Sequence, residues 1–289
     1  MVIKKSAGEY VFDAFNYLFL TVLTLLTLYP LLYVLFASLS DGTALMQNPG
    51  VLLRPAGFSL AAYRNVLSNP NIVSGYVNTI YIVVVGTTIN IVMTSMGAYV
   101  LARKDFYWKN FITGIIIFTM FFGGGLIPTF LLIRDLGMMH THWALIIPGA
   151  ISVFNMIIMR TTFQTIPESL VESARIDGAN EFTILFKLII PLSLPTIAVM
   201  ILRYGVGHWN SWFDALIYLG DRRSLWPLQL FLREVLIQNQ NQTDQMDVDF
   251  IAETVRYATI VVATVPILLA YPFLQKYFVK GIMIGSLKG

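Results

Sequence analysis

From Ala14 to Ser40 the chain carries no charged side chain. That run exceeds the roughly 20 apolar residues that cross a bilayer core. In hydrocarbon the backbone must satisfy its own hydrogen bonds, which leaves only helices or closed barrels. Further apolar stretches lie within Tyr76–Ala102, Asn110–Ile133, Trp143–Met159, Leu192–Leu219 and Tyr257–Gln275. No strand-like alternation competes over these lengths, so the expectation is an all-α polytopic membrane protein with six transmembrane helices. Composition agrees. The chain of 289 residues is 56% hydrophobic and 12% charged, with a mean hydropathy of +0.70. A soluble domain carries roughly 25% charged residues. Lys4 and Lys5 precede an apolar run too long for a signal-peptide core, so a retained first span is expected.

Lysine and arginine in the loops set the orientation. With six spans both termini share one side, which holds 11 of these cations, including Lys4, Arg103, Lys109, Arg175 and Lys280. The other side holds 7 in longer loops, and Arg203 is intramembrane. The bias predicts cytoplasmic termini. The expected organisation is a cytoplasmic N-terminus over 1–13, a transmembrane domain over 14–279, and a cytoplasmic tail over 280–289. The net charge of +3 comes without a dense basic cluster, so nucleic acid is not an expected partner. Cysteine is absent, which excludes disulfides and thiolate metal sites.

On the predicted inner side, residues 166–191 are charged and helix-forming. Ile166, Leu170 and Ala174 recur at helical spacing, and Pro167 with Glu168 suits a first turn. Gly178 suits a helix end, and Asn180 suits a cap for the next helix. Phe182, Leu185, Phe186 and Ile189 form a second apolar stripe. The expectation is a helical hairpin held at the membrane surface, suited to passing motion to something docked beneath it.

These residues resemble the EAA loop of bacterial ABC importer permeases, written E-A-A, three residues, Gly, nine residues, I-x-L-P. Here Glu172-Ser173-Ala174 is followed by Gly178, and then by Leu188-Ile189-Ile190-Pro191. Serine, leucine and isoleucine replace single motif residues. Phe122–Pro128, Val206–Asp221, Trp226–Gln229 and the tail 275–289 are similar to the oligosaccharide branch of that family, whose reference is the second permease of the maltose transporter. The resemblance covers nearly the whole chain and is densest from Gly123 onward. It implies one of two related permease subunits in the bacterial plasma membrane. Two ATPase subunits would dock below, an extracytoplasmic sugar-binding protein above, and an oligosaccharide would pass between. It also implies that Glu172, Ser173, Ala174, Asp177, Gly178 and Pro191 couple to the ATPase. The outer loop 220–254 would meet the binding protein.

The apolar run Leu192–Leu219 concentrates Arg203, Tyr204, His208, Trp209, Asn210, Trp212 and Asp214. Charged groups in lipid are costly and usually face a bundle interior or a wet cavity. Arg203 and Asp214 stand three turns apart on a continuous helix, hence on about one face. Aromatic rings match the C–H face of a pyranose, while Arg, Asn, Asp and His match hydroxyls or carboxylates. These residues are therefore candidates for a sugar pathway. The competing reading is an interfacial aromatic belt with structural ion pairing. Arg203 favours an acidic sugar.

Other signals carry less. No G-x-x-x-x-G-K-[ST] occurs, so ATP and Mg are expected on a partner ATPase, with no cofactor in this chain. Gly123-Gly124-Gly125 lacks the following lysine and reads as close helix packing or a helix break. His140 and His142 read as loop residues rather than metal ligands. No catalytic arrangement is evident, so an enzyme is not expected. The rival in another class is an ion-coupled secondary transporter, for which Asp214 is the candidate coupling carboxylate. That rival leaves the hairpin unexplained.

Overall fold

The computed structural model describes residues 6–48, 50–238, 253–269 and 272. Among these residues no strand forms beyond an isolated bridge between Ser40 and Phe58. The helices are α1 (Ala7–Ser38), α2 (Gly42–Gln47), α3 (Ala61–Ser68), α4 (Pro70–Ala102), α5 (Lys109–Phe121), α6 (Leu126–Asp135), α7 (Trp143–Ile146) and α8 (Val153–Gln164). They continue with α9 (Glu168–Ile176), α10 (Glu181–Ile184), α11 (Ile190–Leu192), α12 (Leu194–Trp209), α13 (Trp212–Leu219) and α14 (Leu228–Gln238). Residues 253–269 form α15. The tail motif 275–289 and most of the polar run in the outer loop lie outside the described residues.

The chain divides into two compact units. One comprises residues 1–69 and 234–264. Its helix α1 begins with a capping box, in which Ser6 and Glu9 satisfy each other's backbone N–H groups. Near its other end Ala37 packs with Leu45 and Leu52, and the Tyr33 and Tyr257 rings meet edge to face at 5.8 Å.

The second unit comprises residues 70–233 and 265–289 and is organised on α4. Along α4, Gly75, Thr79, Ile82, Gly86, Asn90, Thr94 and Ala98 are buried at intervals of about one turn. Small side chains at that spacing let neighbouring helices approach closely. Helices α8 and α12 pack against this stripe.

Among the described residues only α1 and α4 are single helices long and apolar enough to cross a membrane. Three of the other expected spans are broken, and the sixth, Tyr257–Gln275, is helical as far as 269 with its end outside the described residues. α5 and α6 meet at 110° across Phe122–Gly125, and α11 meets α12 at 90°. Gly125 has φ +85°, and a Cβ there or at Gly123 would touch nothing. The three glycines therefore break the helix rather than allow close packing. Trp143–Met159 is interrupted by a non-helical stretch containing Pro148 and Gly149. Leu192–Leu219 divides at Ser193 and again at Asn210–Ser211. Pro191 and Pro195 flank the first of these breaks and lack an N–H for the ladder.

Candidate functional site: a helical hairpin and a polar seam on α4

The segment Glu168–Leu192 is built from local signals. Pro167 precedes α9 as its cap residue, and Glu168 opens the helix. At the far end Gly178 adopts φ +83°, a left-handed conformation that glycine takes without a Cβ penalty. The Ala179 N–H then donates to Ala174 O at 2.9 Å and Gly178 N–H to Arg175 O at 3.0 Å. Asn180 caps α10 by accepting from Thr183 N–H at 2.8 Å. After Ile184 the chain takes one π-helical turn, Leu185–Ile189, in which Ile190 N–H bonds Leu185 O.

The second arm buries a different set of residues from the stripe read in the sequence. Ile184, Leu185 and Ile189 are buried, while Phe182 and Phe186 are 63% and 42% exposed. The stripe of Phe182, Leu185, Phe186 and Ile189 is corrected on this point: the arm meets the core through Ile184, Leu185 and Ile189, and the helix face carrying Phe182 and Phe186 lies to one side of that contact. On the first arm Val171 is buried and Ile166 and Ala174 are partly buried against the same cluster, which includes Met156, Met159 and Met200.

Glu172 and Ser173 are exposed, Ala174 is half-buried, and Asp177, Gly178 and Pro191 are exposed. Ile176 beside the turn is 86% exposed. The turn and the outer face of α9 thus present a mixed apolar and acidic surface.

Sequence reasoning missed how the segment is fastened. Arg175 Nε and Nη2 donate to Glu181 Oε1 at 2.9 and 2.6 Å, bridging α9 to α10. Glu181 Oε2 accepts from the Tyr99 hydroxyl near the end of α4. Arg103 holds Asp105 through two hydrogen bonds of 3.2 and 3.1 Å, and Arg175 lies 3.6 Å from Asp105. Lys104 reaches Glu168 at 2.7 Å. The Tyr99 hydrogen bond first, and then Arg175, holds the Glu181 carboxyl below its ordinary range. Arg103 does the same for Asp105. Charges six residues apart across a turn give no periodic signal. Only the turn geometry brings Arg175 and Glu181 together.

The second group of candidates is separated by the fold. Arg203 and Asp214 do not share a helix face, because α12 ends at Trp209 and α13 starts at Trp212. Three residues of the group belong to a buried polar seam against α4. Asn90, fully buried, donates through Nδ2 to Gly149 O at 2.7 Å and Ala150 O at 3.0 Å. Its Oδ1 is therefore the acceptor toward His208 Nε2 at 2.6 Å, which requires the proton on Nε2. Tyr204 shares a hydrogen bond of 2.7 Å with Thr94 and accepts from Ser152 N–H at 3.0 Å. Trp209 is buried with its ring 6.3 Å from that of Tyr76.

The others are more open. Arg203 is exposed, but its guanidinium is held on one side: Nε donates to Asn155 Oδ1 at 2.9 Å, and the guanidinium lies 4.9 Å from the Phe154 ring centre. Asn210 ends α12 and is exposed, as is Asp214. Trp212 is half-buried, with the Arg233 guanidinium 3.7 Å from its ring centre.

The two histidines anchor loops. His140 contacts Leu219 O through Nδ1 and His142 contacts Leu225 O through Nε2, both at 3.0 Å. No group of three or more potential metal-ligating side chains occurs among the described residues.

Comparison with known proteins adds an independent line. Residues 3–284 match the family described as binding-protein-dependent transport system inner membrane component. The chain is 41% identical over 283 residues to the polygalacturonan/rhamnogalacturonan transport system permease protein YtcP of Bacillus subtilis, covering 96% of this chain and 98% of that protein. It is 42% identical over 290 residues to protein LplC of the same organism, covering 99% and 97%. Among solved structures, a chain of a bacterial ABC transporter involved in the import of the acidic polysaccharide alginate superposes with a TM-score of 0.87. That match has 34% identity and covers 95% of this chain and 99% of the other.

Proposed function

The chain belongs to the binding-protein-dependent transport system inner membrane component family, and from that premise we propose that it is one permease subunit of an ATP-driven ABC importer for oligosaccharides. It crosses the membrane six times with both termini cytoplasmic, and several crossings are made by broken helices. The lysine and arginine bias supports that orientation. Its partners are a related second permease, two ATPase subunits that bind ATP and Mg, and an extracytoplasmic sugar-binding protein.

The observation that carries this reading is the segment Glu168–Leu192. It opens at Pro167, turns at Gly178, is capped by Asn180 at the start of α10, and docks on the α4 core, yet Glu172 and Ile176 remain open. In our reading this is the coupling hairpin: Glu172, Ser173, Ala174, Asp177 and Gly178 meet a groove of the ATPase, and Pro191 ends the lever. ATPase closure pushes the hairpin, and the bundle then exposes the pathway alternately to each side.

Within the pathway, Arg203, Asn210 and Asp214 offer open polar groups, and half-buried Trp212 adds an aromatic ring with Arg233 over one face. Tyr204, His208 and Trp209 back them from the α4 interface. The cargo proposed is a uronate-containing oligosaccharide. An arginine with its Nε already held presents the rest of its fork to a carboxylate. The names of the polygalacturonan and alginate relatives are consistent with that class.

Reconstitution tests the reading. This chain, a second permease, the ATPase and the loaded binding protein would be placed in liposomes, and trigalacturonate uptake measured. Uptake should require ATP and persist without an ion gradient. Uptake driven by an ion gradient without ATP would overturn the proposal in favour of a secondary transporter.

A further inference from the structure

The contacts around Glu181 form a ring. Tyr99 donates to one oxygen of Glu181. Arg175 donates twice to the other. Arg175 also faces Asp105, Asp105 is held by Arg103, and the Arg103 guanidinium returns to within 5.8 Å of the Tyr99 ring centre. Three pieces of chain meet in it: the end of α4 with its following loop, the last turn of α9, and the first turn of α10. One carboxylate thus joins the two arms of the hairpin to each other and to the central helix.

The surroundings make that junction important. Two clefts, of about 410 and 530 Å³, flank it, and Tyr99 and Arg103 line both. The first runs along Met96, Phe182 and Leu185, the second along Lys104, Glu168 and Val171. Between the clefts Tyr99 packs in the same core cluster as Val171, Leu185 and Ile189, so the polar ring is the hydrogen-bonded part of the hairpin's seat on α4. Besides that packing, α9 is tied to the α4 end by the pair Lys104–Glu168, whose side chains are 77% and 38% exposed. Exposed pairs of that kind contribute little. The Tyr99 side of the ring is different, since Tyr99 is 6% exposed and its ring is fixed in the core.

We propose that Glu181 is a positioning residue for transport: with Tyr99 and Arg175 it latches both arms of the hairpin to α4, so that a displacement of α9 moves α4 rather than opening the Gly178 turn. This rests on the reading of the hairpin as the ATPase contact. It assigns the transmission of motion to a carboxylate on the second arm, distinct from the Glu172 face that meets the partner.

The experiment uses the whole importer and two kinds of readout. In proteoliposomes with loaded binding protein, trigalacturonate taken up per ATP hydrolysed is measured for wild type, Glu181→Ala, Glu181→Gln and Tyr99→Phe. Glu181→Ala should keep wild-type yield and ATPase content while uptake per ATP falls about fivefold, the low end of typical coupling between sites. Tyr99→Phe keeps the buried ring and removes one hydroxyl, so it should fold and show a smaller loss. Glu181→Gln keeps an acceptor for Tyr99 but loses the charge facing Arg175, and should be intermediate.

The second readout does not depend on the sugar. The chain contains no cysteine, so Tyr107→Cys and Lys187→Cys place the only two labelling sites in it, and the complex is assembled after this subunit has been labelled. Their distance distribution should be narrow in the wild type and broaden in Glu181→Ala and Tyr99→Phe. Unchanged uptake per ATP together with unchanged distributions in Tyr99→Phe and Glu181→Gln would overturn the latch. So would a loss confined to folded yield. Glu172→Ala separates the two levels. If it uncouples the complex while the Glu181 variants do not, only the latch fails. If Glu172→Ala leaves docking and coupling intact, the coupling reading fails and the latch with it.

Discussion

Gly86 is the position where the packing of α4 on α12 leaves least room. A Cβ there would lie 2.5 Å from Nε2, 2.8 Å from Cε1 and 3.0 Å from Cδ2 of His208. Ordinary van der Waals contact requires about 3.5–4.0 Å, so Gly86→Ala must displace the imidazole by roughly 1 Å. The ring cannot move that far and keep its 2.6 Å hydrogen bond to Asn90. Overpacking a tight core costs about 1–3 kcal/mol. Losing the hydrogen bond adds about 0.6 kcal/mol if it is an average intramembrane pair, and up to about 2 if the fully buried Asn90 carbonyl stays unpaired. Alanine in place of glycine returns up to about 1 kcal/mol of helix propensity. The net expectation is a destabilisation of about 1–4 kcal/mol, dominated by the steric term. The assay is thermal unfolding of the purified complex in detergent, followed by tryptophan fluorescence. Gly86→Ala should unfold at lower temperature, and His208→Ala should be destabilised on its own. The double variant should be less destabilised than the sum, because removing the ring removes the clash. A Gly86→Ala protein as stable as wild type, or strict additivity in the double variant, would refute the reasoning.

Further outcomes are expected elsewhere. Gly178→Leu places a branched side chain at φ +83°, a strain of about 1–2 kcal/mol; with Glu172→Ala it should reduce the ATPase recovered with the permease, and equal recovery would count against the hairpin. Arg203→Ala should leave folded yield unchanged, since Arg203 is exposed with one hydrogen bond to Asn155, while uptake of trigalacturonate falls more than that of a neutral trisaccharide; equal losses would remove the carboxylate role. The Glu181 carboxyl is held below its ordinary range, so its stabilising contribution is present above the unfolded carboxylate value and is lost as pH falls through the lower folded one. The protection factors for hydrogen exchange over 168–192, taken against the intrinsic rate at each pH, should therefore fall on acidification, and Glu181→Gln should flatten that dependence; an identical acid response in the variant would refute it. Gly125→Ala forces φ +85° on a residue with a Cβ, and should lower folded yield even though nothing crowds the position.

The all-helical architecture was legible because it depends on composition over long windows. Runs such as Ala14–Ser40, with no strand-like alternation, satisfy their backbone in lipid as helices. The capped turn was legible for a related reason. Pro167, Gly178 and Asn180 act on their own backbone within a few residues, so their roles survive without tertiary context. Breaks were harder to see. Ser193 and Asn210–Ser211 interrupt a run that hydropathy reads as continuous, because a window average does not register where one helix bends into another. The π turn after Ile184 was invisible for the same reason, and spacing alone did not show that Ile184, Leu185 and Ile189, rather than Phe182 and Phe186, meet the core.

What only the tertiary structure decided is which polar side chains meet. Arg203 and Asp214 looked like a pair by spacing, yet Arg203 is held by Asn155, which stands 48 positions away. His208 and Tyr204 looked like sugar ligands by type, but they bond to Asn90 and Thr94, which stand 118 and 110 positions away on α4. The Tyr99–Glu181–Arg175 latch depends on a turn folding one arm back over another. The sequence by itself determined the helices, their caps and the membrane environment, since each follows from short-range sterics and solvation. The partners of its buried polar groups follow from distances that exist only once α4, α8 and α12 are packed together.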